Sequence, residues 1–223
     1  MLIVAMPKTA STSLMKTLGR LQGLPAKQTF FPQQLWPASN SFGAMARFHS
    51  DIREITADQA ADFKDTARIF KQHTPPTANN LAQLGDSKIV LLTREPSEIV
   101  LAYRRWEATG DSPQRIEFKG LETEEQWLKR AADLGLLAEL ERFRGTWAAL
   151  PNVLAIDFRD LIKNPDATID RIEDHFGLTR SVRPVELDRE RYTRDDKPKP
   201  KTPSKKKKSL AARIARRLRG DKK

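Results

Sequence analysis

The run Leu2-Ile3-Val4-Ala5-Met6-Pro7-Lys8-Thr9-Ala10-Ser11-Thr12-Ser13-Leu14 decides how this chain is read. A short, continuous apolar stretch bounded by a proline has the length of a buried strand. It opens straight into small and hydroxylated residues around one lysine, and then into the helical spacing of Ser11 to Leu21. A strand that turns directly into a helix exposes backbone N–H groups and the positive end of the helix dipole, which attract an anion. Lys8 adds a full charge, and Ser11, Thr12 and Ser13 add hydroxyl donors, so the turn has the chemistry of a phosphate cradle. The simpler reading is a helix capped by Ser11 beside an exposed lysine. The Gly-x4-Gly-Lys-Ser/Thr pattern is absent because no glycine precedes Gly19, which counts against an ordinary ATPase or kinase.

Moving outward, similar apolar runs recur at Ala67 to Phe70, Lys88 to Thr93 and Val153 to Asp157. Between them, Thr77 to Leu84, Ser97 to Trp106, Glu124 to Leu150 and Pro165 to Phe176 carry apolar residues three and four apart. Strand and helix alternate, which predicts an α/β fold with a parallel sheet covered by helices on both faces, a three-layer architecture. Ligands of such sheets sit where strand carboxyl ends meet the following loops, so the turns after Met6, Phe70, Thr93 and Asp157 are the ones to read. Residues 25–50, rich in Pro, Phe, Gln, Ser and Asn, show no clear period and are expected to lie irregularly over that edge.

Two of those turns carry candidate chemistry. Lys71-Gln72-His73-Thr74-Pro75-Pro76 places a lysine and a histidine two residues apart at a strand end, in a proline-stiffened loop. Arg94-Glu95-Pro96-Ser97-Glu98 places an arginine where a buried strand opens into a helix, and Pro96 suits the first helical turn. Such an arginine grips a phosphate with two donors or serves a structural ion pair. His49 reads first as a surface or packing residue, with a place facing the acceptor as the alternative, and His175, within a helix that ends at Gly177, reads as structural.

These motifs resemble those of the sulfotransferase family. Pro7-Lys8-Thr9-Ala10-Ser11-Thr12-Ser13-Leu14 is similar to its Pro-Lys-x-Gly-Thr-Thr-x-Leu loop, with Ala10 in place of the glycine and Ser11 in place of the first threonine. Lys71, His73 and Pro76 match Lys-x-His-x-x-Pro, and Arg94, Pro96 and Glu98 match strand-Arg-x-Pro-x-Asp/Glu. Phe158-Arg159-Asp160-Leu161 resembles the family's Tyr-Glu-Asp-Leu stretch. The resemblance covers most of residues 1–178 and implies a P-loop nucleoside-triphosphate-hydrolase-like sulfotransferase fold, in a domain expected to span residues 1–196. It also implies transfer of a sulfuryl group from 3′-phosphoadenosine 5′-phosphosulfate (PAPS) to a hydroxyl or amine, without a required metal. His73 would be the base, Lys71 and Lys8 would stabilise charge, Lys8, Thr9, Ala10, Ser11, Thr12 and Ser13 would hold the 5′-phosphate, and Arg94 the 3′-phosphate. The chain departs from the pattern at Ala102, where a serine is usual, and in lacking the late Gly-rich basic motif. Arg104 or Arg105 either replaces the serine's contact or is simply a solvated charge. If the position of Ala10 needs positive φ, the methyl group costs some closeness to phosphate.

The net charge of +11 on 223 residues divides unevenly: 13 of 40 Lys and Arg and one of 29 Asp and Glu lie in 197–223, leaving 27 and 28 in the body. The excess charge belongs to a tail, a Pro-punctuated linker followed at 209–219 by a cationic amphipathic helix pattern. That pattern suits an anionic membrane surface or a polyanionic acceptor, a disordered solubilising tail being the competing reading. Nucleic acid ranks below both, because no aromatic residue is interleaved with the charges. With no cysteine, disulfides, thiolate nucleophiles and Cys-ligated zinc are excluded. The six-residue opening run lacks the charged leader of a signal peptide, and no stretch reaches the roughly 20 apolar residues of a membrane span, so a cytoplasmic enzyme is expected, with peripheral attachment through the tail as an option. The acceptor would be a small molecule, a glycan or a lipid. Two other functions compete: a nonenzymatic polyanion or nucleic-acid binder acting through the tail, and a P-loop-like nucleotide kinase needing ATP and magnesium.

Overall fold

A computed structural model describes residues 1–28, 42–49, 52, 54–64, 67–110 and 115–188. The chain divides into two units, Met1–Tyr192 and Thr193–Lys223. The linker, the 209–219 helix pattern and the expected boundary at 196 lie outside the described residues, as do 29–41 of the segment expected over the site.

Five parallel strands, β1 (Leu2–Ala5), β2 (Ala26–Gln28), β3 (Ile69–Gln72), β4 (Ile89–Thr93) and β5 (Val153–Asp157), form one sheet in the order β2-β3-β1-β4-β5. The opening strand is therefore central, with Val4 opposite Gln72 on one side and Leu91 on the other. The chain lays down β2 and β3 on one flank of β1, then β4 and β5 on the other. The order of strand addition thus reverses at β1, where open α/β folds build their ligand crevice.

Both faces of the central strands are buried, which explains their continuous apolar runs. Leu2, Val4, Phe70, Ile89 and Leu91 face a cluster containing Phe48 of α2 (Gly43–Phe48), Tyr103 of α5 (Pro96–Ala108), Trp127 of α6 (Glu124–Asp133) and Trp147 of α7 (Leu136–Ala148). Ile3, Ala5, Ile69, Val90 and Leu92 face Leu14 and Leu18 of α1 (Ser11–Gln22) and Ile169 and Ile172 of α9 (Pro165–Phe176). The remaining described α-helices are α3 (Ala57–Phe63), α4 (Ala78–Leu84) and α8 (Phe158–Lys163). The three-layer α/β expectation holds.

Local details differ from the sequence reading for identifiable reasons. The segment Glu124 to Leu150 is two helices, because Gly135 adopts φ 74° and breaks the backbone ladder between α6 and α7. Residues 25–50 are not wholly irregular, since they contain the edge strand β2 and helix α2. These elements are too short to show a period. Helix α1 lies so close to the start of β2 that a Cβ on Gly19 would meet Ala26 Cβ at 2.9 Å. Strand β3 runs two residues past Phe70, so Lys71 lies inside the strand rather than in the loop.

Candidate active site

The loop between β1 and α1 has an unusual backbone. Lys8 and Ala10 are the described non-glycine residues with positive φ, each at 59°. That left-handed geometry crowds a Cβ against the adjacent carbonyl and costs about 1–2 kcal/mol per residue. Ala10, not Ser11, is the N-cap of α1, and it makes no side-chain capping bond. The simpler reading of a Ser11 cap is therefore replaced by a strained turn that leaves the helix's first N–H groups uncapped by a side chain.

The hydroxyls near Lys8 divide. Thr9 Oγ1 donates to the Met6 carbonyl at 2.7 Å and is fully buried, so it braces the turn. Ser13 Oγ donates to the Asp188 carbonyl, and Thr17 Oγ1 accepts from Asp188 N at 3.0 Å. The segment at Val185–Asp188 is thereby strapped along α1, with Val185 and Leu187 in the core. Ser11 is buried and Thr12 is partly exposed.

Arg94, at the end of β4, reaches back to this loop. Its Nη1 donates to the Lys8 carbonyl at 2.8 Å and its Nε to Glu98 at 3.2 Å, while the guanidinium lies 4.2 Å over the Phe158 ring. Glu98 also binds Arg159. Arg94 therefore joins the loops after β1 and β4. Ala102 is partly exposed one turn beyond Glu98 on α5. Arg104 donates to the Glu122 carbonyl and pairs with Glu124 at 3.7 Å, while Arg105 is exposed and its charge acts on Arg94.

Lys71 and His73 are both buried at the end of β3. His73 Nδ1 lies 2.7 Å from the Ala5 carbonyl, which can only accept, so Nδ1 carries the ring proton. Nε2 is then a lone-pair site, and the Lys71 ammonium donates to it at 3.1 Å. Burial, followed by the charges of Lys71 and His49, holds the His73 pKa well below its ordinary value. The imidazole is neutral, with its basic nitrogen beside an ammonium.

The fold also gathers residues that motif reading did not assign to the site. His49, at the end of α2, stacks edge-on against His73 with centroids 4.6 Å apart, and its Nδ1 lies 2.5 Å from the Tyr103 hydroxyl. Lys8 Nζ sits 3.3 Å from the centroid of the Trp106 ring and 5.0 Å from that of Tyr103. Arg115 lies 4.1 Å over Tyr103 and pairs with Glu107 at 2.6 Å. Burial, with Arg115 nearby, lowers the Lys8 pKa to about 8. Tyr103 and Trp106 are three apart on α5, the spacing that puts two rings on one helix face. That was the signal available in the sequence.

Among the described residues no group of acidic, histidine or cysteine side chains is arranged to hold a metal ion, and no helix is long and apolar enough to cross a membrane.

Residues 47–181 match the sequence profile of the sulfotransferase family. Solved structures with a similar fold include a mouse sulfotransferase complexed with PAP, at 16% identity and TM-score 0.53, aligned over 81% of this chain and 59% of the mouse protein. A retinol dehydratase in complex with androsterone and PAP aligns at 13% identity and TM-score 0.50, over 81% of this chain and 60% of the other. The sulfotransferase domain of the curacin biosynthetic pathway aligns at 14% identity and TM-score 0.50, over 81% and 74%. The chain thus spans about three fifths of the length of the first two. No curated protein matches the sequence.

Proposed function

Because the chain belongs to the sulfotransferase family, we propose that it transfers a sulfuryl group from PAPS to a hydroxyl-bearing acceptor, with His73 as general base. The observation that carries this reading is the convergence of Lys8, Lys71, His73 and Arg94 at the carboxyl ends of the central strand and its two neighbours, with His73 held as the neutral Nδ1–H tautomer.

The residues present fit a doubly phosphorylated nucleotide. The turn after β1 combines uncapped helix N–H groups with a lysine that has no carboxylate partner among the described residues, and Arg94 adds a second cation on the adjoining loop. PAPS, when bound, supplies the sulfuryl group, whose S–O bond to the 5′-phosphate breaks as the bond to the acceptor oxygen forms. In-line positioning and charge stabilisation are the protein's main tasks in such transfers. Nε2 of His73 takes the acceptor's proton; Ala5, by holding Nδ1–H, keeps that nitrogen basic and correctly aimed. Lys71 releases Nε2 to the incoming hydroxyl and turns its charge to the sulfuryl oxygens. Lys8, with the N–H groups and the Ser11 and Thr12 hydroxyls, holds the leaving phosphate, and Arg94 holds the 3′-phosphate. The Ser13 hydroxyl joins them only by leaving the Asp188 carbonyl. Residues 1–196 form the catalytic domain in this reading, and the basic tail is an accessory that draws the enzyme to anionic surfaces or acceptors.

Calorimetric titration of the full chain with adenosine 3′,5′-bisphosphate (PAP), with ATP and magnesium, and with a short duplex tests the assignment. Metal-independent binding of PAP, tighter than that of ATP, is expected. Binding of the duplex alone overturns it in favour of a nonenzymatic polyanion binder, and binding of ATP only with magnesium in favour of a kinase. Labelled PAPS offered with small hydroxylated metabolites, glycans and lipids then identifies the acceptor.

A further inference from the structure

We propose that Trp106, with Tyr103, is a positioning residue for the proposed reaction: its indole face holds the Lys8 ammonium beside the phosphate-binding turn, in the place a carboxylate would occupy. This rests on the sulfotransferase reading for its purpose, though not for its physical content.

Three observations carry it. The Lys8 backbone is in the left-handed region, so its side chain leaves the turn in a direction set by a strained conformation. That direction brings Nζ to 3.3 Å from the centre of the Trp106 ring, with the Tyr103 ring at 5.0 Å forming the second wall. Finally, no carboxylate among the described residues pairs with Lys8. The charge that acts on its amine is that of Arg115, itself met by Glu107 at 2.6 Å, while nearby His73 is neutral. Arg94 bonds the backbone carbonyl of Lys8 and not its amine. Among the described residues the aromatic faces are thus the stabilising contact for this ammonium. A ring face attracts a cation through its quadrupole, and more strongly once the cation is partly desolvated.

The arrangement has a chemical advantage. A carboxylate at this place would repel the donor's phosphates and neutralise the charge needed on the leaving group. An aromatic face keeps the amine protonated and aimed while adding no negative charge.

Competitive labelling of the Lys8 amine across pH, read by mass spectrometry on the intact full-length protein, tests this without relying on activity. In the wild type, half-maximal reactivity is expected near the lowered value of about 8. In Trp106→Leu it should fall by roughly half a unit to one unit, since the lost attraction favours the protonated form. Trp106→Phe, which keeps a weaker ring, should lie between. An unchanged labelling curve in a folded Trp106→Leu protein overturns the proposal. A measurement that leaves every tryptophan in place guards against misfolding: in 5-fluorotryptophan-labelled protein the Trp106 fluorine resonance should titrate with the same midpoint, and this titration should vanish in Lys8→Met. A Trp106 resonance that is silent as pH is raised through the Lys8 midpoint also overturns it. Adding PAP separates the two readings. Protection of Lys8 from labelling supports the phosphate assignment; its absence removes that assignment while leaving the Trp106 contact to be judged on its own titration.

Discussion

The ammonium of Lys71 stands 3.1 Å from Nε2 of His73, the one ring nitrogen that the Ala5 carbonyl leaves without a proton. The two residues share one face at the end of β3 and both are buried, so neither can be altered without changing the surroundings of the other. On the proposed mechanism one is the base and the other the counter-charge for the transferring group. Replacing either by alanine should lower turnover by about 10²- to 10⁴-fold while changing PAP affinity only a few-fold. Single-turnover rates with labelled PAPS alongside PAP calorimetry check this, and a His73→Ala enzyme with wild-type rates would remove the base assignment.

The pH dependence follows from two lowered pKa values. His73 stays neutral well below its ordinary range, so it should impose no acid limb near pH 6.5 on turnover. Lys8 must be charged, and in the free enzyme its pKa is about 8, so kcat/KM for the donor should decline as pH rises through about 8, with the decline in turnover displaced to higher pH by the bound phosphates. Stability should move in the opposite sense on the acid side. Below about 6.5 the unfolded chain binds protons that folded His73 and His175 refuse, so the free energy of unfolding should drop as pH falls through that range. Rate profiles and denaturant titrations across both pKa ranges measure the two effects.

Ala10 occupies a left-handed position without being glycine. Ala10→Gly removes a conformational strain of about 1–2 kcal/mol and adds roughly 0.5–1 kcal/mol of unfolded-state entropy cost. The expected net result is a melting temperature raised by about 1–4 °C, read by calorimetry. A lowered melting temperature would show that the alanine methyl contributes more through its burial than its φ costs.

Arg94 is engaged before any nucleotide arrives, by the Lys8 carbonyl and Glu98. Arg94→Lys keeps a charge but loses the fork that serves both partners at once. It should weaken PAP binding by about tenfold to a hundredfold, the range of one or two charge-assisted hydrogen bonds, and weaken adenosine 5′-phosphate binding much less. Equal losses for both nucleotides would mean that Arg94 acts by bracing the first loop rather than by holding the 3′-phosphate.

Much of this architecture is legible in the chain itself. Leu2–Ala5 and Ile89–Thr93 are buried along their whole length, and burial on both faces of a parallel strand requires an unbroken apolar run in place of an alternating one. The split at Gly135 and the edge strand Ala26–Gln28 are hidden for opposite reasons. A single glycine inside a long apolar period does not announce a break, and three residues are too few to carry a period at all.

What the sequence alone determined is the alternation of four strands, β1, β3, β4 and β5, with the longer helical segments and the placing of Lys8, Lys71, His73 and Arg94 at strand ends, since periodicity and strand-to-helix junctions are local and recorded within a few residues. Only the tertiary structure decided which side chains face them. His49, Tyr103, Trp106 and Arg115 come from segments distant from Lys8 along the chain, and they meet the strand-end residues because β1 lies in the middle of the sheet, with α2 and α5 packed on the face where Tyr103 and Phe48 touch. The protonated nitrogen of His73 was settled the same way, by a carbonyl that parallel pairing of β1 and β3 brings within 2.7 Å. Contacts of this kind depend on sheet order and helix packing, and no local pattern encodes them.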